Sequence, residues 1–412
     1  MSEKKQDDRR LRAAKQGKEL MALYYMEAKN AAHQGKQVAW ITSGGPVEPL
    51  IALDVIPVYP ENHGAMVGAV KNGPEVCEVA EAQGYAPDLC SYARIDIGQI
   101  EKPEGSPIYG LPRPDFLVCS NNICGTVTKW YEVLARKLDV PLWLHDAPYL
   151  HVDDAEAEQR AVAYSTAQFK EYFGWLEQVT GRKLQQDRLF ETLELAVRGV
   201  ELWGQCLDRN RHRPAPMTCF DAFILIAPIV TLRGTQEVVD FYETLDAELL
   251  ERCENNISPV PGERIRLLWD NIPVWFAMRH LSGFLAERNA NLVCDTYTTA
   301  WADADIVADR DRDRLLEGLA RAYTTIYLNK GLAPKAEQVI KLMEHYGCDG
   351  AILHSNRSCK PYSFGQLDIL RRVRETTGKP VMMLDADMTD SRVYVPAQVE
   401  TRLGAFLESF PG

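Results

Sequence analysis

The chain has 412 residues, 46% of them hydrophobic and 25% charged, with a formal net charge of −12. This composition is ordinary for a globular protein with a sizeable core. The excess of acidic residues, without a stripe of basic ones, argues against nucleic acid as a partner. No apolar run approaches the roughly 20 residues that span a bilayer, so we expect no membrane partner either.

The first part of the chain alternates short apolar runs with helical patterns. The charged N-terminus, MSEKKQDDRRLRAAKQGKEL, lacks the apolar core of a secretory signal and predicts a helix in a cytoplasmic protein. Strands are predicted at QVAWIT (37–42), DFLVCS (115–120) and PLWLHD (141–146), and a helix at GTVTKWYEVLARKL (125–138). This alternation is typical of a parallel α/β sheet.

The pattern changes after residue 151. Residues 152–262 carry long helical periodicities without intervening strands. Strand patterns then return, at RIRLLWD (264–270), NLVCDTY (291–297), GAILH (350–354) and PVMMLDAD (380–387). We therefore predict an α/β protein with parallel-sheet domains at 1–151 and 263–412 and a helical segment at 152–262 between them.

The ten cysteines include no CxxC pair, so any metal cluster must collect ligands from distant parts of the chain. Cys90, Cys124 and Cys359 lie in polar turns, and Cys124 and Cys359 directly precede helical patterns. Helix N-termini stabilise thiolates, and three thiolates are what an iron–sulfur cluster needs. Taken singly, each is better explained as a buried structural thiol, because free cysteine behaves as a small hydrophobic residue.

The segment SGGPVEP (43–49) follows the first strand and opens a helix. Its free N–H groups could form an oxyanion or phosphate cradle, with Glu48 in the first helical turn; a tight structural turn explains the pattern equally well. There is no GxxxxGK[ST] motif for P-loop nucleotide hydrolysis. After the last strand, Asp385, Asp387 and Asp390 could bind Mg²⁺ or cap the next element.

Five stretches carry a family resemblance, in the expected order and over nearly the whole chain: GPVEPLIALDVIPVY, DLCSYARIDIG, CGTVTKWYEVLA, SCKPYSFGQLDILRRVRETTGKPVMMLDADMTD and VETRLGAFLESF. The first has a Pro-x-Glu that opens a helix, the next three each hold a cysteine near a helix start, and the last matches a closing helix. Together they resemble the family of 2-hydroxyacyl-CoA dehydratase and benzoyl-CoA reductase subunits.

The resemblance implies that Cys90, Cys124 and Cys359 ligate one [4Fe–4S] cluster between two flavodoxin-like domains. One iron would then have no cysteine ligand, and Cys119 beside Cys124 leaves room for a larger iron–sulfur cluster. The implied partners are a paralogous cluster-bearing subunit, an ATP-hydrolysing iron–sulfur activator, ferredoxin as the upstream donor, and an acyl-CoA substrate.

Within the family, two motifs resemble the reductase subunits more: CGTVTKWYEVL, and DLCSYARIDIG with its tyrosine after the cysteine and the IDIG that follows. They favour a subunit of an ATP-dependent benzoyl-CoA-type reductase, an oxidoreductase that dearomatises the ring of a CoA thioester. The alternatives are a subunit of a radical 2-hydroxyacyl-CoA dehydratase and an electron-transfer or double-cubane-type reductase subunit. For either catalytic reaction we expect Ser43 to donate a hydrogen bond and Glu48 to handle a proton.

Overall fold

Two four-stranded parallel sheets form the framework of the molecule. The computed structural model describes residues 10–302 and 306–411, so the first nine residues of the expected N-terminal helix lie outside it. The strands are β1 Gln37–Ile41, β2 Val55–Val58, β3 Phe116–Ser120, β4 Leu142–His145, β5 Ile265–Asp270, β6 Ala290–Asp295, β7 Gly350–Asn356 and β8 Val381–Ala386. The prediction of an α/β protein with two parallel sheets is confirmed.

Both sheets have the same strand order. The first runs β2-β1-β3-β4 and the second β6-β5-β7-β8, with every neighbouring pair parallel. In each sheet the strand that comes first in sequence is therefore central, and β1, β3, β5 and β6 are almost wholly buried, as parallel strands covered on both faces should be. In such sheets, ligands bind beyond the carboxyl ends of the strands.

The helices of the first half connect its strands. They are α1 Ala13–Asn30, α2 Glu48–Ala52, α3 Pro60–Ala69, α4 Gly73–Ala82, α5 Ser91–Glu101 and α6 Gly125–Leu138. Helix α6 has the predicted bounds. Its apolar residues recur on one face, which buries Val127, Trp130 and Leu134, and it ends where Asp139 adopts a positive φ of 51°.

The middle of the chain is helical, as predicted. It forms α7 Ala155–Thr180, α8 Gln186–Asp208, α9 Cys219–Leu225, α10 Ala227–Thr231 and α11 Gln236–Glu254. Asp154 caps the start of α7 by accepting the N–H of Glu156, and Thr218 and Asp221 form a reciprocal capping box on α9. This segment shares one apolar core with the first sheet.

The helices of the last part are α12 Met278–Ala286, α13 Thr296–Thr299, α14 Arg312–Thr324, α15 Leu332–His345, α16 Lys360–Ser363, α17 Gln366–Thr377 and α18 Pro396–Glu408. Helix α14 packs against α7, and Arg321 of α14 pairs with Glu158 at 2.5 Å. Because residues on both sides of residue 262 share this packing, the domain bounds at 151 and 262 stay a prediction. Within the described ranges, none of the helices has the length and apolarity to cross a membrane.

Candidate active site

A cavity of about 930 Å³ lies between the carboxyl ends of the two sheets. The turn after β1 contributes Ser43, the turn after β3 contributes Cys124, and the turn after β7 contributes Cys359. Met388, after β8, lines it as well. The two sheets thus face one another across the region where open parallel sheets bind ligands.

The three cysteines singled out in the sequence line this one cavity. Cys90 directly precedes α5, Cys124 precedes α6, and Cys359 precedes α16. Besides burial, a charge on Cys124 raises the pKa of Cys90, and charges on both raise the pKa of Cys359, because the thiols are close enough to repel one another when ionised. The structure therefore brings together residues that are far apart in sequence.

Burial opposes the thiolate state that the helix N-termini were expected to favour. It raises the pKa of Cys90 to about 12 and also raises the pKa values of Cys124 and Cys359. For Cys124, the N–H groups of Thr126 and Val127 lower the pKa, but by less than burial raises it. The helix N–H groups therefore act in the direction that the sequence predicted, but burial acts against them, and a buried thiolate here also needs a compensating positive charge.

The donor set fits an iron–sulfur cluster. Three thiols share a cavity, and each has N–H groups of a following helix beside its sulfur. In residues 10–302 and 306–411, no group of three or more His, Cys, Asp or Glu could hold a metal ion. Cluster ligands need not converge in that way, because each binds a different iron. Cys119 is buried within β3, in the apolar core.

A hydrogen-bonded chain ties the turns of Cys90 and Cys359 together. The Ser91 N–H donates to Ser358 Oγ at 3.1 Å, and that hydroxyl donates to Asp387 Oδ2 at 2.5 Å. Asp387 Oδ1 accepts the N–H groups of Thr389 and Asp390, at 3.0 and 2.9 Å. Of the two interpretations of the acidic loop after β8, the structure shows loop capping by Asp387, and the capped loop in turn positions two of the cysteine turns.

Ser43 orients a glutamate that the motifs did not single out. Its N–H and Oγ donate to Glu61 Oε1, at 3.0 and 3.3 Å. The other oxygen, Oε2, is buried without a hydrogen-bond partner among the described residues, and burial raises the pKa of Glu61 to about 7. Glu61 lines the cavity and can hold or release a proton near neutral pH.

Glu48 lies behind the cavity wall, at the start of α2. Arg233 Nε donates to one of its oxygens at 3.0 Å, and Tyr323 OH donates to the other at 2.6 Å. Arg233 also donates to Tyr323 OH at 2.6 Å, and both of these residues line the cavity. Since both carboxylate oxygens of Glu48 are engaged by protein groups, its role as a proton handler stays a prediction.

In the turn Ser43–Gly45, two backbone N–H groups are already hydrogen-bonded to other groups of the protein. The N–H of Ser43 binds Glu61, and the N–H of Gly45 donates to the Thr42 carbonyl at 2.7 Å. Gly44 packs so closely that a Cβ there would lie 2.7 Å from the side chain of Ile123. The N–H groups of Ser43 and Gly45 therefore form a tight structural turn rather than an open oxyanion cradle.

One sequence signal could have revealed Glu61. It follows β2 in VIPVYPENHG, and β2 is the parallel neighbour of β1, whose end carries Ser43. An acidic residue just beyond an apolar strand belongs at the same edge of the sheet as the end of the neighbouring strand. The pairing of β1 with β2 was needed to make this connection.

Comparisons with known proteins agree over nearly the full length. The family model described as 2-hydroxyglutaryl-CoA dehydratase, D-component, matches residues 42–410. The chain is 36% identical over 392 residues to the (R)-2-hydroxyisocaproyl-CoA dehydratase alpha subunit of Clostridioides difficile, with 95% of this chain and 94% of that protein covered. It is 33% identical over 409 residues to the lactoyl-CoA dehydratase subunit alpha of Anaerotignum propionicum, with coverage of 95% and 96%. A benzoyl-CoA reductase subunit of Thauera aromatica is 28% identical over 405 residues, with coverage of 95% and 93%.

Proposed function

Because the chain belongs to the 2-hydroxyglutaryl-CoA dehydratase D-component family, we propose that it is the alpha-type subunit of a 2-hydroxyacyl-CoA dehydratase. Two short motifs favoured a benzoyl-CoA-type reductase. The similarity along the whole chain outweighs them, because both dehydratase subunits share more identical residues with this chain than the reductase subunit does.

The observation that carries the proposal is the convergence of Cys90, Cys124 and Cys359 on the cavity that Glu61 also lines. We assign the three thiols as ligands of a [4Fe–4S] cluster. When bound, such a cluster supplies single electrons next to the substrate and an iron that no cysteine of this set ligates. The chain's own residues would supply the pocket, the substrate orientation and the proton.

Expulsion of water from a 2-hydroxyacyl-CoA requires a proton on the departing hydroxyl. Glu61 fits this role because its pKa of about 7 keeps a proton available and its Oε2 has no described protein partner. Ser43 holds the other oxygen and so fixes the direction of Oε2. The aromatic lining of the cavity, including Trp130 and Tyr297, keeps bulk water away from the reacting groups.

The relatives are named as subunits of larger enzymes, which supports a partner for this chain as well. We propose a paralogous cluster-bearing subunit as that partner. An ATP-hydrolysing iron–sulfur activator, itself reduced by ferredoxin, would deliver electrons to the complex. The acyl-CoA substrate would enter the cavity described above.

The test is anaerobic co-production of the chain with its partner and activator, followed by iron and sulfide analysis and two assays. We expect ATP-dependent conversion of a 2-hydroxyacyl-CoA to the corresponding enoyl-CoA, with electrons needed only in catalytic amounts. Stoichiometric electron consumption with a cyclic diene formed from benzoyl-CoA would instead establish the reductase. Iron with neither activity would indicate an electron-transfer subunit.

A further inference from the structure

The inner part of the cavity is walled by aromatic rings. Phe223, Trp275 and Tyr297 contact one another edge to face, with ring centroids 6.3 to 6.5 Å apart. Trp275 Nε1 donates to Tyr92 OH at 2.5 Å, which satisfies two polar groups of the wall. All four side chains line the cavity. Rings that are already hydrogen-bonded and packed present apolar surface to whatever enters.

This aromatic wall adjoins the thiols. Tyr92 lies two residues after Cys90, at the start of α5, and the four aromatic residues line the same cavity as Cys90, Cys124 and Cys359. The part of the substrate that lies nearest the thiols therefore also meets the aromatic wall.

The charged residues of the cavity are few and unevenly placed. Among the described lining residues, the charged side chains are Lys18, Lys29, Glu61 and Arg233. Arg233 is only 5% exposed and is neutralised by its ion pair with Glu48 at 3.0 Å. The carboxyl of Glu61 already has its pKa raised by burial. Within the described inner wall, no cation is left to compensate a second carboxylate.

The two lysines mark the outer end. Lys18 and Lys29 are exposed on α1 and eleven residues apart, which places them on the same face of the helix, roughly 16 Å from each other along its axis. Lys29 Nζ donates to the Tyr109 carbonyl at 3.2 Å. Positive charge at this end suits the phosphates of a CoA thioester, so its acyl group would point inward to the thiols.

From these observations we infer that the acyl side chain of the substrate is uncharged and apolar, and that a carboxylate-bearing acyl group is rejected. The inference rests on the proposed function and specifies its substrate class. An apolar side chain gains free energy by leaving water for the aromatic wall. A terminal carboxylate would lose its hydration without a cation to replace it.

Matched thioesters provide the test. The probes are (R)-2-hydroxyacyl-CoA compounds whose side chains are 3-methylbutyl and 2-carboxyethyl, which have the same number and branching of heavy atoms and differ in charge. Dissociation constants would be measured by calorimetry on the anaerobic complex without activator, and kcat/KM with activator. We expect the carboxylate to bind on the order of 100-fold more weakly. A ratio below tenfold, or a preference for the carboxylate, would overturn the inference.

The experiment distinguishes a wrong proposed function from a wrong substrate class. If neither thioester is dehydrated while benzoyl-CoA is reduced, the proposed function is wrong, whatever the binding ratio. If both are dehydrated with equal kcat/KM, the function stands and the substrate class is wrong.

A charge variant tests whether the lack of an available cation causes the discrimination. Glu48→Gln removes the anion that neutralises Arg233, so the guanidinium becomes available to a substrate carboxylate. The ratio of the dissociation constants of the carboxylate and apolar thioesters should then fall at least tenfold. Glu194→Gln, at an exposed position of α8, should keep the wild-type ratio. A folded Glu48→Gln protein with an unchanged ratio would contradict the charge argument, and if this variant does not fold, the wild-type ratio still decides the inference.

Discussion

Two buried glutamates near the cavity illustrate how partners decide the chemistry of a carboxyl group. Glu48 is held by Arg233 and Tyr323, so its charge is compensated. Among the described residues, Ser43 is the only other residue that donates hydrogen bonds to the Glu61 side chain, both to one oxygen, and burial raises the pKa of Glu61 to about 7. The first glutamate is suited to building the wall, and the second to exchanging a proton.

Glu61→Gln should lower kcat of the activated complex by about 10²- to 10⁴-fold, because the amide keeps the bond to the Ser43 N–H but has no proton to give. The folded carboxyl is protonated below its pKa, so wild-type kcat should fall as pH rises through about 7. The variant should not show this decrease. Steady-state dehydration rates between pH 5.5 and 8.5 measure both the loss of kcat and its pH dependence. Unchanged kcat in the variant, with Glu194→Gln as the matched control, would remove Glu61 from the reaction.

Cys90→Ser, Cys124→Ser and Cys359→Ser should each lose most of the iron bound per chain, because a cluster with two cysteine ligands is poorly held. Iron and sulfide content and the visible absorption of anaerobically purified protein report the loss. Cys253→Ser, at a half-buried helical position outside the cavity, should keep the full content. Full clusters in all three cavity variants would refute the ligand assignment.

At the scale of single residues, the sequence singled out three cysteines that the structure brings to one cavity, but it did not indicate how burial shifts their pKa values, nor the glutamate that lines the same cavity. The turn context of Cys90, Cys124 and Cys359 is local, and the family resemblance joined them. The pKa of a thiol depends on how deeply it is buried, which tertiary packing decides. Glu61 gains its position from the pairing of β1 with β2, a contact that a motif search does not represent.

Among the turns, the link between Ser91, Ser358 and Asp387 joins segments that carry two of the three thiols. Each of the three groups is buried, so each depends on this chain for its hydrogen bonds. The positions of Cys90 and Cys359 relative to one another are therefore held by polar contacts between their flanking residues.

Ser358→Ala should lower the free energy of unfolding by about 1–3 kcal/mol, because it leaves the buried Ser91 N–H unsatisfied and removes a donor from Asp387. It should also reduce the iron retained per chain after gel filtration. Chemical denaturation and iron analysis test the two effects, with exposed Ser409→Ala expected within about 0.5 kcal/mol of wild type. Wild-type stability together with wild-type iron would show that the link does not hold the turns.

Local patterns predicted most of the described strands and helix α6. Helix α6 and strand β1 follow the expected ranges because their apolar periodicity is strong and their ends are marked by polar residues. The region after Cys359 was less predictable. A short helix, α16, precedes α17, and Gly365 between them lies against Leu332, where a Cβ would come within 2.0 Å. That break depends on a contact with α15, which is distant in sequence.

Across the whole molecule, α3 and α4 of the first half pack tightly against the loop after β8 in the second. A Cβ on Gly73 would lie 2.1 Å from the Thr389 carbonyl oxygen, and one on Gly68 would lie 2.5 Å from the Thr389 side chain. Trp275 adds a hydrogen bond to Tyr92 between the halves. The cavity keeps its shape because the backbones approach this closely.

Gly73→Ala should therefore destabilise the protein by about 1–3 kcal/mol, because the backbone of the Thr389 loop must move to admit a methyl group. Gly404→Ala is the matched control: the added methyl meets open space in α18, and the better helix propensity should stabilise by up to about 1 kcal/mol. Thermal and chemical unfolding measure both. Equal stability of the two variants would mean that the contact between the halves is looser than the structure shows.

The fold class was readable from the alternation of patterns, whereas the arrangement of the parts was not. The strand patterns did not give the strand order, and only the family resemblance, through two flavodoxin-like domains, implied that both sheets would share one. The packing of α14 against α7 was equally hidden, because amphipathic periodicity identifies an apolar face but not the partner that covers it.

The distribution of the thiols between the halves has a consequence for biosynthesis. Cys90 and Cys124 are translated early, and Cys359 follows only when most of the chain has been made. On the proposed ligation, a growing polypeptide cannot complete the ligand set until β7 has emerged and the second half has docked onto α4. Cofactor loading would then be a late maturation step, and the iron content of a preparation would report the fraction of chains that have finished assembling.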